Sequence, residues 1–505
     1  MNTEEGVESM RGLKIGGWLA TLALMLLTAS ATARPNIIFV MADDLGPEFF
    51  GCYGGDVETP NLNRMAQEGM LFENAWCTPI CSATRAMVMT GRGAYHTGWY
   101  HNSLKVNPVG ERDKGNDWRL WGNRFYSEFI KEAGYRTAIT GRWGIPISFD
   151  ADRMKIDEYC IHVETEHSVP EGYTFTGLIE DPTGYGFGAF YSRYWHPAIN
   201  RNGVLLDTKP ADFGEDFYFQ FALDFASRKS EEPFMIYMPL HLPHGTSVKK
   251  GNKLPSTPIS GRVGMITGGD IEESVQYIDV LMGRLFEGLE KAGVLDNTIV
   301  IFGADNATTG RKTVAGGGGT RVPLLVTGPE KYVKPGVRTR ALLSYADLLP
   351  TWLEWADGSL PDGYEIDGVS QAAVMAGCSQ SAREFLTSYI GTARMITDGT
   401  WQLDAVDEIF SQPDGILYYV GTSTDGTTYR GYEERDPHNP DDPEASIAHQ
   451  RLLGELQKAP WLDPRDPYVE KAIRKYAEKK FRHRLSFKHK LRDQYAPLNE
   501  AVFNK

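Results

Sequence analysis

The sequence predicts an α/β protein: a large mixed, mostly parallel sheet sandwiched by helices, with a smaller C-terminal subdomain built on an antiparallel sheet. Three observations predict it. The run "IIFVM" is apolar on both alternations, as a strand buried on both faces is, and "PFMIYMPL" and "TIVIFGADN" read as two more strands of that buried type. Amphipathic stretches such as "ESVQYIDVLMGRLFEGLEKAG" lie between them, and strands alternating with helices imply a parallel sheet covered on both sides. From Arg383 the texture changes to short strand candidates without intervening helices.

The first 33 residues read as a processing segment. Arg11 and Lys14 precede the apolar run "GWLATLALMLL", and small residues follow up to Ala33, the pattern of a cleavable secretory signal. The run is too short for a comfortable membrane span. The expectation is a signal peptide over 1–33, export to the periplasm or exterior, and no stable membrane span after its removal; an uncleaved anchor is the alternative. Ile37 to Met41 then reads as a buried strand ending in Asp43-Asp44. "TPNLNRMAQEGM" reads as a helix capped near Thr59 with Pro60 in its first turn, and "LFENAWC" as a strand. "FYSEFIKEAGYRTAITGRW" gives helix, glycine and strand; "RVPLLVTGP" gives a strand and "SYADLLPTWLEWAD" a helix. Residues 34–380 are assigned to the larger α/β domain and 381–505 to the antiparallel subdomain, whose strands are "FLTSYI", "ARMITDGTWQLDAV" and "GILYYVG". Its basic tail, "EKAIRKYAEKKFRHRLSFKHKLR", is a solvated helix face or, alternatively, a docking surface for polyanions.

With 505 residues, 41% of them hydrophobic, there is ample chain for a large core. A net charge of −14 argues against nucleic acid as a partner. The five cysteines are Cys52, Cys77, Cys81, Cys160 and Cys378, an odd count that leaves one without an intramolecular partner in an exported protein. Cys77 and Cys81 could pair, but Cys81 is set aside from the disulfide count. No CxxC or Cys/His grouping suggests zinc.

Sites in open α/β sheets form beyond the carboxyl ends of strands. Two strands here end in oxygen ligands, Asp43-Asp44 and Asp305-Asn306. Three carboxylates and an amide oxygen suit a hard cation, Ca²⁺ or Mg²⁺. Each pair alone reads as a cap or turn; two such strand ends in one chain strengthen the metal reading. Asn306-Ala307-Thr308 also fits a glycosylation sequon, but its strand-end position favours a ligand. The helix "SATRAMVMTG" points its N–H groups and positive dipole end at Cys81, and Arg85 adds a charge one turn on. That environment stabilises negative charge on residue 81. A soft thiolate beside a hard cation is a mismatch, whereas an oxygen nucleophile fits.

These residues carry a resemblance. Cys81-Ser82-Ala83-Thr84-Arg85, followed by Thr90-Gly91-Arg92, resembles the C-x-P-x-R…T-G-R signature of the sulfatases. "RPNIIFVMADDLG", "PHG" at Pro243 to Gly245, "TIVIFGADN", "RKTVAGGGGTRVP" and "SYADLLPTWLEWA" are similar to further blocks of that family, in order from Arg34 to Gly399. The resemblance implies a formylglycine-dependent hydrolase of sulfate esters, of the arylsulfatase or N-acetylgalactosamine-6-sulfatase kind, within the alkaline phosphatase superfamily. It implies that a formylglycine-generating maturase oxidises Cys81 during export, and that Arg85 supports the oxidised form. It also implies a cation, Ca²⁺ or Mg²⁺, on Asp43, Asp44, Asp305, Asn306 and the oxidised residue 81. Lys312, nine residues before Arg321, and Arg142 are expected to hold sulfuryl oxygens, and His244 to protonate the leaving alcohol. The substrate is expected to be a sulfate ester of a small molecule or an oligosaccharide.

The chain departs from the family pattern at several positions. Ala83 stands for proline. In "GRWG", against the family's G-K-W-H, Arg142 stands for lysine and Gly144 for a histidine that would accept a proton; Gly317 stands for a glutamate. His241 or His196 could supply a base instead. The aromatics of "FGAFYSRYWHP" could stack on sugar rings or be core. Two further readings follow: a phosphodiesterase or phosphonate-ester hydrolase, to which Arg142 would suit a more highly charged phosphoryl group, and a non-catalytic binder of sulfated glycans.

Overall fold

A computed structural model describes residues 34–102, 104–106, 122–145, 147, 149–163, 193–244, 246–248, 251–264, 269–308, 319–409, 412–421, 433–463 and 465–484. The proposed signal segment lies outside them. Five parallel strands form the centre, in the order Thr298–Ala304, Asn36–Ala42, Phe234–Pro239, Arg136–Gly141 and Glu158–His162. Every residue of Asn36–Ala42 and Thr298–Ala304 is buried, which is why neither sequence alternates with polar residues. Register sets the site. Ala42 lies opposite Ala304 and Met41 opposite Pro239, so three strands end level and deliver Asp43, Asp305 and the 240–244 turn to one edge.

The flanks are antiparallel. "RVPLLVTGP" is broken at Pro323, which has no N–H to give to a ladder, into Arg321–Val322 and Leu324–Thr327. Leu324–Thr327 runs antiparallel to Thr298–Ala304, and Met70–Trp76 pairs antiparallel with it and parallel with Val337–Ser344. One group of packed helices comprises Cys81–Thr90, Tyr126–Glu132 and Leu348–Trp355; another comprises Pro60–Glu68, Gly214–Ala226 and Ile271–Lys291. Under the first, Phe39 stacks on Tyr237 at 5.7 Å and Trp352 meets both Phe39 (5.8 Å) and Tyr126 (5.6 Å). Thr59 precedes the Pro60–Glu68 helix as expected, but its side chain makes no capping bond. Asp279 of the long helix caps instead, accepting the N–H of Asn61 (3.2 Å) and Leu62 (2.8 Å). The cap is tertiary, so local sequence could not reveal it.

A five-stranded antiparallel sheet follows, Leu386–Ile390, Ala393–Thr397, Trp401–Val406, Ile416–Tyr419 and Glu433–Arg435, with helix Pro443–Lys458 against it. Ile396, Trp401, Leu403 and Leu417 build a small core there with Ala448 and Leu452. Its first strand belongs instead to the main core through Leu386, Tyr389 and Ile390, and Ser388 Oγ donates to the Cys77 carbonyl at 2.7 Å. Helix Pro467–Arg484 carries the start of the basic tail. All five cysteines are free thiols. Among the described residues no helix is long and apolar enough to cross a membrane.

Asp347 ties these parts together. Fully buried, it accepts hydrogen bonds from Ser344 N (2.9 Å), Val369 N (2.8 Å), Gln371 Nε2 (2.9 Å) and the Arg383 Nε (2.8 and 2.9 Å). Asp347→Ala orphans a cation and several donors at once. The expected cost is about 3–5 kcal/mol, read as a fall in the midpoint of thermal or urea unfolding; a change of under about 1 kcal/mol would show that the knot carries no stability.

Candidate active site

The level strand ends place Asp43, Asp44, Asp305 and Asn306 side by side, each almost wholly inaccessible to solvent. Asp44 takes a left-handed conformation (φ 64°), and its N–H donates to Asp305 Oδ1 at 3.1 Å. Asn306 Nδ2 donates to Asp44 Oδ1 at 2.6 Å and to its neighbour's carbonyl at 2.9 Å. That leaves Asn306 Oδ1 buried with no hydrogen bond. Such an oxygen costs free energy unless something positive meets it. Full burial also removes Asn306 as an accessible glycan acceptor. Ligand atoms of Asp43, Cys81 and Asp305 lie within 4.8 Å of one another, and so do those of Asp43, Asp44 and His244. The Cys81 Sγ marks where the oxygen of an oxidised residue 81 would stand. Carboxylates plus an unsatisfied amide oxygen fit a hard divalent cation.

Cys81 opens helix Cys81–Thr90, all of whose residues are buried. Ile80 precedes it in an extended conformation, and its side chain makes no capping bond to the first turn. The approach is pinned locally: Thr78 N–H donates to Thr84 Oγ1 at 3.0 Å, and the two threonine hydroxyls meet at 2.8 Å. Gly91 closes the helix in the left-handed region (φ 66°), its N–H returning to the Met87 carbonyl.

Arg85 is buried among the carboxylates. Its Nη2 reaches Asp43 Oδ2 (3.0 Å) and Asp305 Oδ2 (2.8 Å), Nε reaches Asp305 Oδ2 (3.0 Å), and Nη1 donates to the Arg142 carbonyl (2.8 Å). Burial works against its charge, but Asp305 and Asp43 outweigh burial and hold its pKa above the ordinary value. The sequence assigned Arg85 to supporting residue 81; its bonds go to the two carboxylates that flank that residue. Arg142 Nη1 pairs with Asp43 Oδ2, so its guanidinium is anchored on a ligand carboxylate. Gly144 sits at φ 67°, and a Cβ there would stand 2.8 Å from both Cδ and Nε of Arg85. The histidine of the family pattern has no room. Glycine here lets the backbone close over the buried guanidinium.

His244 Nε2 lies 3.9 Å from Asp44 Oδ2 at the accessible rim. His241 is buried, and burial, with His162 and Arg193 adding to it, pushes its pKa well below the ordinary imidazole value, so it is neutral. Among the described residues His196 belongs to neither group of clustered ligand atoms; its backbone N–H donates to the Asp212 carbonyl and it lies near the exposed Asp207. Tyr194 and Trp195 are core, packed on Phe213 and closed to a sugar ring. Lys312, Gly317 and the rest of the "FGAFYS" stretch lie outside the described residues.

Sequence reasoning missed Thr78 and Thr84, which hold the turn before Cys81, and Glu215, buried behind the 240–244 turn. Spacing offers a signal for the threonines, six residues apart across Cys81. Glu215 stands in the first turn of its helix beside Asp216, where acidic residues are ordinary, so its sequence position carried no signal. Burial pushes its pKa up to about 8, despite the N–H groups of Leu242 and His241 pulling it down.

Gly144→His is therefore expected to lower activity rather than improve it, with stability falling by about 1–3 kcal/mol from the left-handed conformation and the displaced Arg85. Steady-state rates and thermal unfolding check this; a faster enzyme would refute it.

Comparison with known proteins agrees with this arrangement. The family profile described as Sulfatase matches residues 35–359. The chain is 28% identical to rat N-acetylgalactosamine-6-sulfatase over 82% of this chain and 80% of that protein. It is 27% identical to human arylsulfatase A, covering 73% of each, and 24% identical to an ulvan-active sulfatase of Formosa agariphila, covering 81% of this chain and 75% of that one. In fold it is similar to Ps i-CgsB, solved with k-i-k-neocarrahexaose (TM-score 0.63, 22% identity, 84% of this chain and 92% of that one). It is also similar in fold to the PsFucS1 sulfatase of a Pseudoalteromonas species (TM-score 0.60, 19% identity, 89% and 96%). Matched over well more than half its length, with the signature cysteine at the head of its buried helix, the chain belongs to the sulfatase family and is a sulfuric ester hydrolase.

Proposed function

We propose that this enzyme is exported and releases sulfate from a saccharide O-sulfate ester, acting through Cys81 after its oxidation to formylglycine. One observation carries the reading: Cys81 Sγ converges with Asp43 and Asp305 within 4.8 Å, at the head of an uncapped helix. A divalent cation, Ca²⁺ or Mg²⁺, would supply Lewis acidity there and formylglycine the attacking oxygen. Asp43, Asp44, Asp305 and Asn306 would hold the cation. Arg85 and Arg142 balance two of the three carboxylates, leaving one negative charge for the cation to neutralise. The first-turn N–H groups face the charge that builds on the sulfuryl oxygens. Lys312 joins them on the sequence resemblance. His244, at the accessible rim, donates a proton to the departing alcohol oxygen.

A saccharide substrate is supported by the relatives, whose names specify N-acetylgalactosamine-6-sulfate and ulvan chemistry. Export, to the periplasm or exterior, is supported by the signal-like composition of residues 1–33. Arg142 Nη1 is engaged by Asp43, which withdraws that nitrogen equally from a sulfuryl and a phosphoryl oxygen.

Protein co-expressed with a formylglycine-generating enzyme is expected to show an aldehyde mass at residue 81 and to liberate sulfate from O-sulfated galactose, N-acetylgalactosamine or fucose. Cys81→Ala should lose on the order of 10³-fold or more in kcat/KM. Phosphate esters turned over in preference to sulfate esters would establish the phosphoryl reading; tight glycan binding without sulfate release from aldehyde-bearing protein would establish the binder. Chelation should remove at least ~10-fold of the activity, and added Ca²⁺ or Mg²⁺ should restore it. Activity indifferent to chelator would remove the cation from the mechanism.

A further inference from the structure

Helix Gly214–Ala226 begins with two adjacent carboxylates that face different ways. Asp216 stays partly exposed, bonded to Arg284 at 2.9 Å and to Tyr277. Glu215 turns inward and is wholly buried. Its Oε1 accepts two backbone N–H groups, those of His241 (2.8 Å) and Leu242 (3.0 Å). Its Oε2 has no hydrogen bond and lies 3.9 Å from His241 Nδ1. An unsatisfied buried oxygen costs free energy, so packing alone would favour leucine or methionine at this position. What a carboxyl adds is a double acceptor for one particular pair of peptide N–H groups.

That segment connects both halves of the site. The Leu242 carbonyl accepts the N–H of Asp43 at 2.9 Å. His244 N–H closes onto the His241 carbonyl at 2.8 Å, and Tyr194 Oη donates to the carbonyls of His241 (3.0 Å) and His244 (2.5 Å). One carboxylate oxygen therefore fixes a turn that leads to a metal-type ligand on one side and to the proposed proton donor on the other.

The geometry points to Glu215 as a positioning residue for hydrolysis, holding the 241–244 turn so that His244 faces the leaving oxygen while Asp43 faces the cation. It touches no substrate, and the assignment rests on the function proposed above. Because burial keeps its carboxyl largely protonated at pH 7, glutamine reproduces both its charge and its acceptor oxygen.

The experiment compares Glu215→Ala, Glu215→Leu (which fills the space without an acceptor), Glu215→Gln and the helix control Asp216→Asn. Two substrates are used: a saccharide O-sulfate, whose alkoxide needs a proton to leave, and 4-nitrophenyl sulfate, whose phenolate does not. Glu215→Ala and Glu215→Leu are expected to lose ~10²-fold in kcat on the saccharide and under ~10-fold on the aryl sulfate, since misplacement by about 1 Å can cost ~10²-fold. Glu215→Gln and Asp216→Asn should stay within ~3-fold of wild type on both, on the same reasoning. Equal losses on both substrates, or glutamine as damaging as leucine, would overturn the assignment. Amide hydrogen exchange at His241 and Leu242 gives a reading that needs no turnover. It should accelerate in the leucine variant and not in the glutamine variant, and unchanged exchange in leucine overturns the proposal. Should wild type split no sulfate ester, the functional reading fails, while amide exchange still decides whether Glu215 holds the turn.

Discussion

Asp43 and Asp305 are brought within 4.8 Å of each other by the register of two parallel strands, deep enough that water cannot screen them. Two carboxylates at that spacing repel by about 3 kcal/mol even at an effective dielectric of about 20. Arg85 offsets that repulsion, one guanidinium bonded to both. Much of the surrounding backbone is arranged around that group: the Arg142 carbonyl accepts its remaining nitrogen, Gly144 has no side chain where its Cδ lies, and the helix that carries it also carries Cys81. Arginine is suited to this because its flat fork can bond two acids and a carbonyl at once; lysine's single ammonium cannot. The Cys81 position and the metal-type carboxylates are thus tied together through one guanidinium.

How legible this was depended on whether the determinant was local. The buried strands announced themselves because a chain covered on both faces has no polar alternation, and the acids at their ends followed directly, Asp43-Asp44 after one and Asp305-Asn306 after another. The cysteine at a helix start was equally local. Partners distant in sequence were not legible. Arg85 was expected to serve residue 81, yet its acids arrive from strands 42 and 220 residues away. Leu324–Thr327 reads like its parallel neighbours and runs the other way, because direction belongs to the connection and not to the strand. Asp279 caps a helix it does not precede.

Gly144 is the clearest case of a residue whose meaning reversed. Against the family pattern it reads as a lost proton acceptor. In the fold it is a requirement of the arginine packed beneath it, and restoring the family's residue alone would damage what the glycine protects. A motif position can therefore differ from its relatives without signalling decay, provided a neighbouring group has claimed the space.

Ser388 completes the turn that carries Cys81 with a hydrogen bond to the Cys77 carbonyl, across a sequence separation of 311 residues. At ordinary synthesis rates that separation corresponds to about 15–60 s between the appearance of one partner and the other. For that interval the Cys81 stretch exists on the growing chain without its final support, and the helix that will bury it cannot yet be fully enclosed. Chain order acts here as a clock: the first strand of the last sheet sets when the turn before Cys81 receives its final hydrogen bond.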